Sequence, residues 1–272
     1  MKSNNSFFGN LEIPGRSEKP REDGITMMID WGLGVMAQED TSRFAGEYID
    51  LAKVAVGIPR LIPDQVLIRK NASYRANGIQ PFPGGMLLEY AMHRYRKSGR
   101  TLADAARRYF EESKRVGYEV MEISDNVIEI SLEEKRQLVS LAANEFAFRV
   151  LGEVGTKREV TSADEMISDI DICLEAGSWK VLLEAAEFVD KEDGTIKMGL
   201  VEKITDRFPP EKLIFEIPGP WNPNTTLSRS HEMKSSLVDT FGAEVNLGNI
   251  LPDDVVELET LRRGIGVGME LT

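Results

Sequence analysis

The sequence predicts a single-domain (β/α)8 TIM barrel of the α/β class. Three observations carry that expectation. Eight short apolar runs alternate with helical segments, no two adjacent runs read as a hairpin, and most runs end in an acid, a lysine or a glycine pair. Strands that alternate with helices pair in parallel. Eight such units in roughly 250 residues fill a closed barrel, whose chemistry lies at the C-terminal strand ends. An open doubly wound sheet is the alternative. It needs a phosphate loop after the first strand, and Asp30-Trp-Gly-Leu-Gly34 matches one only weakly; Gly264, Gly266 and Gly268 follow a helix, so they are no dinucleotide fingerprint.

Taken in order, residues 1–22 are polar and rich in Ser, Asn, Pro and Gly. They are expected to form an arm draped over a barrel domain of residues 23–272, with Phe7 and Phe8 as possible anchors. Ile25–Asp30 is the first strand, ending in an acid. A helix near Gln38–Ile49 follows, then a second apolar run, 49–57, which carries Lys53 inside it. A lysine in a buried strand needs a partner or a cavity. A helix over 64–77 stops at Gly78; the third strand, 79–83, exits through Gly84-Gly85; the next helix starts near Met86, with Glu89 and His93 on one face.

Residues 101–117 have helical apolar spacing, and 118–125 is the fourth strand. Ser131 with Glu134, and Ser162 with Glu165, are capping-box pairs that open two helices. Phe146–Val154 is the fifth strand, 179–187 the sixth, 212–218 the seventh and 245–250 the eighth. Helices over 197–208, 227–241 and 253–263 complete the alternation, the last after Pro252 and before Gly264.

Composition narrows the function. With 42% hydrophobic and 29% charged residues the chain can bury a sizeable core. A formal charge of −12 argues against nucleic acid and anionic membranes as partners, but leaves room for a small anionic substrate held by local lysines. The single cysteine, Cys173, excludes an internal disulfide, suits a reducing cytoplasm and reads as a buried small apolar residue. No signal peptide is evident, and no apolar run approaches the ~20 residues of a membrane span.

The strand ends gather Asp30, Lys53, Gly84 and Gly85, Glu122 with Ser124 and Asp125, Glu153 with Lys157, Glu184 with Glu187, Glu216, and Asn246 with Asn249. Converging carboxylates repel and raise one another's pKa; a divalent cation relieves this, and all-oxygen ligands suit Mg2+. The bland reading is a set of helix caps and salt bridges, to which Glu187 and Asp125 are the first to be assigned, with Lys53 paired to Asp30 for stability. His93 and His231 show no ligand spacing.

Several of these motifs, in order, resemble the phosphosulfolactate synthase family: Thr26-Met-Met-Ile-Asp30, Pro83-Gly84-Gly85 with Glu89-Tyr-Ala91, Glu122-Ile-Ser-Asp125, Glu153-Val-Gly155 with Lys157, Ile214-Phe-Glu216-Ile-Pro218, and Val245-Asn246-Leu-Gly-Asn249-Ile with Leu258–Gly264. The resemblance runs from about residue 24 to 264. It implies a Mg2+-dependent lyase on a (β/α)8 barrel that adds sulfite to phosphoenolpyruvate, and it suggests a homo-oligomer. Carried over, Glu153, Glu184 and Glu216 are metal candidates, Lys157 is the acid/base, and Glu153 and Lys53 join it in catalysis. Asp30, Trp31, Gly84, Gly85, Glu122, Ser124, Asn246 and Asn249 become substrate contacts, with the backbone N–H groups of the glycine pair facing an anion. The chain departs from the family where Trp31, Ala186, Trp221 and Gly266 replace expected basic or polar positions. Losing bidentate arginine contacts implies a substrate with fewer anionic groups, or a partly apolar pocket. An inactive binding protein is the third reading.

Overall fold

The computed structural model describes residues 7–155, 161–190, 192 and 195–268. Eight strands, β1 (Thr26–Asp30), β2 (Leu51–Val54), β3 (Gln80–Pro83), β4 (Val120–Ile123), β5 (Arg149–Val154), β6 (Lys180–Leu183), β7 (Leu213–Glu216) and β8 (Leu247–Ile250), form one sheet in the order β3-β2-β1-β8-β7-β6-β5-β4. Every ladder in it is parallel. The two ends of that order, β3 and β4, lie side by side without a ladder between them, so the barrel is nearly closed.

Helices return the chain from each strand to the next. They are α1 (Val35–Ala45), α2 (Ile58–Leu61), α3 (Asp64–Ala76), α4 (Met86–Lys97), α5 (Leu102–Arg115), α6 (Leu132–Ser140), α7 (Ala163–Glu175), α8 (Ala185–Phe188), α9 (Met198–Thr205), α10 (Leu227–Phe241) and α11 (Val255–Arg262). Both expected capping boxes are present: Ser131 and Ser162 accept from the Glu134 and Glu165 amides, and those glutamates reach back to the cap. A third, Thr101 with Asp104, opens α5.

Alternation along the strands divides the core. Ile25, Met27, Leu51, Phe82, Leu151 and Ile214 fill the barrel interior. Met28, Ala52, Val154, Val181, Leu183 and Phe215 face outward into the helical layer. Gly152 also faces that layer. A Cβ there would lie 2.7 Å from Cys173 Sγ, so the glycine lets α7 approach β5 closely, and Cys173 is wholly buried as expected.

Several boundaries differ from the sequence reading. The sixth apolar run is not one strand: β6 ends at Leu183, and Glu184 caps the short α8 by accepting from Ala186 N at 3.2 Å. The fifth run is strand only from Arg149, because a π turn (Leu141–Glu145) occupies the approach. The first helix starts earlier than its apolar spacing implied, at Val35 directly after Gly34.

The N-terminal arm is held by charge and not by Phe7 and Phe8, which are exposed. Arg16 donates to Ala243 O at 2.8 Å and Gly24 O at 2.9 Å, and Arg21 donates to Glu47 O at 3.0 Å and Asp50 Oδ1 at 3.1 Å. These contacts close the end of the barrel where the strands begin.

Candidate active site

At the opposite end the strand register brings one lysine and four glutamates together. Lys53, next to last in β2, points its Nζ at Glu122 Oε2 (2.8 Å) from β4, Glu216 Oε1 (3.0 Å) from β7 and Glu153 Oε2 (3.8 Å) from β5. Each carboxylate is buried to within 1% of full coverage. Burial opposes the charge on Lys53, but the surrounding Glu122, Glu216 and Glu153 carboxylates hold its pKa well above the usual lysine range. Burial drives the Glu122 carboxyl well above the usual range, with Lys53 opposing and Glu153 adding to the rise.

Glu153, Glu184 and Glu216 each offer a carboxylate oxygen within 4.8 Å of the others. This is an all-oxygen, buried donor set, which fits a hard divalent cation. Asn126 donates to Glu153 Oε1 at 2.6 Å and fixes that carboxylate's orientation. Asn126 is absent from the sequence-based set; its only signal was its place one residue after Glu122-Ile-Ser-Asp125.

A cavity of about 510 Å³ opens above this cluster. Its polar wall is Lys53, Glu122, Asn126, Glu153 and Asn249. Its other wall is apolar, with Val56, Met86, Ala186, Trp31 and Trp221. The two indoles pack on each other at 5.0 Å between ring centroids, tilted by 43°. Trp221 occupies the space that any side chain at Gly219 would need, since a Cβ there would lie 2.3 Å from the indole. Val56 and Asn249 both hold left-handed backbone conformations, with φ of 45° and 57°. For a β-branched residue that is a strained geometry, of the kind that gathers at functional sites. The Asn249 Oδ1 is buried without a hydrogen-bond partner among the described residues.

The remaining sequence-based candidates have other work. Asp30 does not line the cavity. Its Oδ1 accepts from Gly32 N (2.8 Å) and Leu33 N (2.7 Å), and its Oδ2 binds Lys70 (2.8 Å) and Tyr74 (2.9 Å), so it pins the first loop and its lysine is Lys70, not Lys53. Ser124 donates to Glu89 at 2.5 Å and orients that buried acid, which also accepts from Val127 N and Ile128 N. Gly84 and Gly85 do line the cavity, but their N–H groups are already taken by Val54 O (2.9 Å) and Glu122 Oε1 (2.7 Å) and not held ready for a substrate anion. A Cβ on Gly85 would lie 2.1 Å from Ser124 Oγ, which is why glycine stands there.

Asn246 is a clear correction. It precedes β8 at the far end of the barrel, where it donates to Leu213 O (2.8 Å) and accepts from Ile25 N (3.0 Å). Its motif neighbour Asn249 is three residues on, which is the length of the barrel wall. Glu187 accepts from Thr161 Oγ1 at 2.7 Å, and Asp125 pairs with Lys135 at 3.1 Å. Lys157 lies outside the described residues.

Fold and site define a class: a (β/α)8 barrel enzyme with a lysine-centred acidic site at the C-terminal strand ends. The chain belongs to the (2R)-phospho-3-sulfolactate synthase (ComA) family, whose model matches residues 14–267. It is 34% identical over 261 residues to the phosphosulfolactate synthase of Methanothermobacter thermautotrophicus, covering 93% of each chain. It is 30% identical to that of Bacillus subtilis, covering 94% of this chain and 95% of the relative. It is also 23% identical to the protein HEAT-STRESS-ASSOCIATED 32 of Arabidopsis thaliana, over 92% of this chain and 90% of that one. Among solved structures, 3-hexulose-6-phosphate synthase from Salmonella typhimurium matches the fold with a TM-score of 0.56 at 7% identity, over 88% of this chain and 98% of the other. The expected fold, family and enzyme class therefore hold. No helix among the described residues is long and apolar enough to cross a membrane.

Proposed function

We propose that the chain catalyses carbon–sulfur bond formation between sulfite and phosphoenolpyruvate, with Mg2+ held by Glu153, Glu184 and Glu216. The observation that carries this reading is the convergence of those three buried carboxylates beside a charged lysine at one mouth. In the reaction the sulfite sulfur donates its lone pair to the CH2 carbon of the enol phosphate. The π pair moves toward the adjacent carbon and its carboxylate, and that carbon then takes a proton. A divalent cation bound there supplies electrostatic stabilisation of the charge that develops on the carboxylate.

The chain's own residues do the rest. Lys53 is held charged, so it serves as a fixed cation facing the anion and not as a proton donor near neutral pH. Asn126 and Asn249 orient polar atoms at the cavity wall. Trp31 and Trp221 exclude water above the reacting carbons. Lys157, following Glu153-Val-Gly155, is assigned the proton delivery. The same reading has the protein working as a cytoplasmic homo-oligomer on a small anionic substrate, without nucleic acid or membrane as partner.

The indole pair favours a second reading: the same metal and lysine chemistry on a less anionic or bulkier substrate. Purified protein with Mg2+, phosphoenolpyruvate and sulfite separates the two. Phosphosulfolactate formation that stops on chelation supports the first, and Glu184→Gln is then expected to cut turnover by more than about 100-fold, beyond the cost of an outer-shell change. No product, together with no thermal protection by phosphoenolpyruvate, removes phosphoenolpyruvate as the substrate and leaves the second reading.

A further inference from the structure

The barrel has a seam, and the sequence writes it. Gln80 N and Gly84 N donate to Asp50 O and Val54 O on the β2 side. The intervening positions 81 and 83 therefore turn their backbone nitrogens toward β4, and both are prolines without an N–H. No ladder joins β3 to β4. Outside this seam, between α2–α3 and the α4–α5 pair, lies a groove of about 540 Å³, as large as the cavity at the mouth. That volume suits a small-molecule ligand.

The floor of the groove is apolar and buried, with Leu67, Pro83, Ala105 and Val116. Tyr118 adds an aromatic ring to that floor. The residue is 2% exposed, and its hydroxyl is turned to the side chain of Asn71. Its neighbour Asn71 gives its own amide to Val116 O at 2.9 Å. Three arginines from three helices stand on the rim: Arg60, Arg94 and Arg108. None of their guanidinium groups makes an ion pair or a hydrogen bond among the described residues. The two rim acids, Asp64 and Glu112, are already held by Arg115 at 2.7 and 2.8 Å. Tyr90 adds an exposed ring at the opening.

Three unengaged guanidinium groups on a chain of net charge −12, around an apolar floor with an aromatic ring, have a chemical complement. We propose that this groove is a second ligand site, separate from the barrel mouth, for a small anion with an aromatic body. The ring would lie on the floor against Tyr118, and the anionic group would reach the arginine rim, where guanidinium forms charge-assisted hydrogen bonds. The proposal does not depend on which substrate the mouth takes.

The test uses 1-anilinonaphthalene-8-sulfonate, an aromatic sulfonate whose fluorescence rises on burial, and N-phenyl-1-naphthylamine, the same body without the charge. Saturable binding of one sulfonate probe per chain is expected, at least about tenfold weaker in Arg94→Ala/Arg108→Ala, since each lost charge-assisted contact contributes about a factor of ten or more. The uncharged probe should bind about tenfold more weakly than the sulfonate. Both arginines are exposed, so the variant's thermal midpoint should match the parent's. Trp221→Ala, at the mouth, should leave the affinity unchanged. No saturable binding, equal affinity in the arginine variant, equal affinity for the uncharged probe, or a loss confined to Trp221→Ala would each overturn the proposal.

Discussion

The two ends of this barrel both bury charge, and they do so in opposite ways. Where the strands begin, buried and half-buried cations are spent on backbone carbonyls. Arg262 donates to Val245 O at 2.7 Å and to Ala243 O, Arg16 shares the latter, and Lys19 donates to Gly46 O at 3.0 Å. Each contact there satisfies a group that the chain ends and turns would otherwise leave unpaired. Where the strands end, buried acids are aimed at one another and at one lysine, with three of them offering oxygens within 4.8 Å. Packing alone gives no reason for such convergence. Charge placed on carbonyls closes a structure; charge placed on like charge stores a binding site.

The sharpest way to break that contrast is at Lys53. Lys53→Met removes the cation common to Glu122, Glu153 and Glu216 and leaves buried carboxylates uncompensated. Removing one partner of a buried ion pair typically costs about 3–5 kcal/mol. A loss of that size is expected in urea unfolding, along with loss of turnover. Stability within about 1 kcal/mol of the parent would show that the acids are compensated from elsewhere and that Lys53 is not the centre of the site.

The two ends were unequally legible in the sequence. The barrel could be read because each strand carries its apolar run and each helix its stop signal; Ser131–Glu134 and Ser162–Glu165 even gave cap positions. Lys53, Glu122, Glu153, Glu184 and Glu216 were legible because each stands in or just after the end of an apolar run, where a barrel gathers its chemistry. Asn246 and Asn249 were not separable from sequence. Both sit in one motif, but a strand spans the barrel in about four residues, so three positions decide which end a side chain serves. The glycine pair failed for another reason: nothing in a sequence shows that the Glu122 carboxylate has already taken the Gly85 N–H. The arm failed because its aromatic residues suggested anchoring, while the docking is done by Arg16 and Arg21 finding carbonyls distant in sequence.

The opposite end is tested at Arg262, which is buried and donates to three carbonyl oxygens, those of Ile25, Ala243 and Val245. Arg262→Met leaves those acceptors short of donors, at about 1–3 kcal/mol for the group that stays unsatisfied. A loss of about 2–3 kcal/mol is expected from urea unfolding, while turnover per folded molecule stays within about twofold of the parent. A large fall in turnover at unchanged stability would mean that the closing end also takes part in the chemistry, and the contrast between the ends would fail.

The smallest expected effect is a pH dependence of the arm. Glu244 accepts from Ser17 N (3.1 Å) and Ser17 Oγ (2.7 Å) and pairs with Arg16 (2.8 Å). Burial alone would raise its pKa, but the hydrogen bonds from Ser17 and the Arg16 charge outweigh it and hold the carboxyl below the usual glutamate range. The sign follows from linkage. A folded-state pKa below the unfolded value gives stability that is present above the unfolded value and lost as pH falls through the folded one. The arm should therefore stay docked at neutral pH and loosen only below the ordinary glutamate titration range, with a contribution of about 1 kcal/mol or less for a partly exposed pair. Amide hydrogen exchange of residues 14–24, compared with β1 and β8, reads this directly. Protection of the arm should fall on acidification before that of the strands, and Glu244→Gln should show the looser arm already at neutral pH. Arm and strands losing protection together would mean that Glu244 is not its tether and that the carbonyl contacts of Arg16 and Arg21 suffice to close this end.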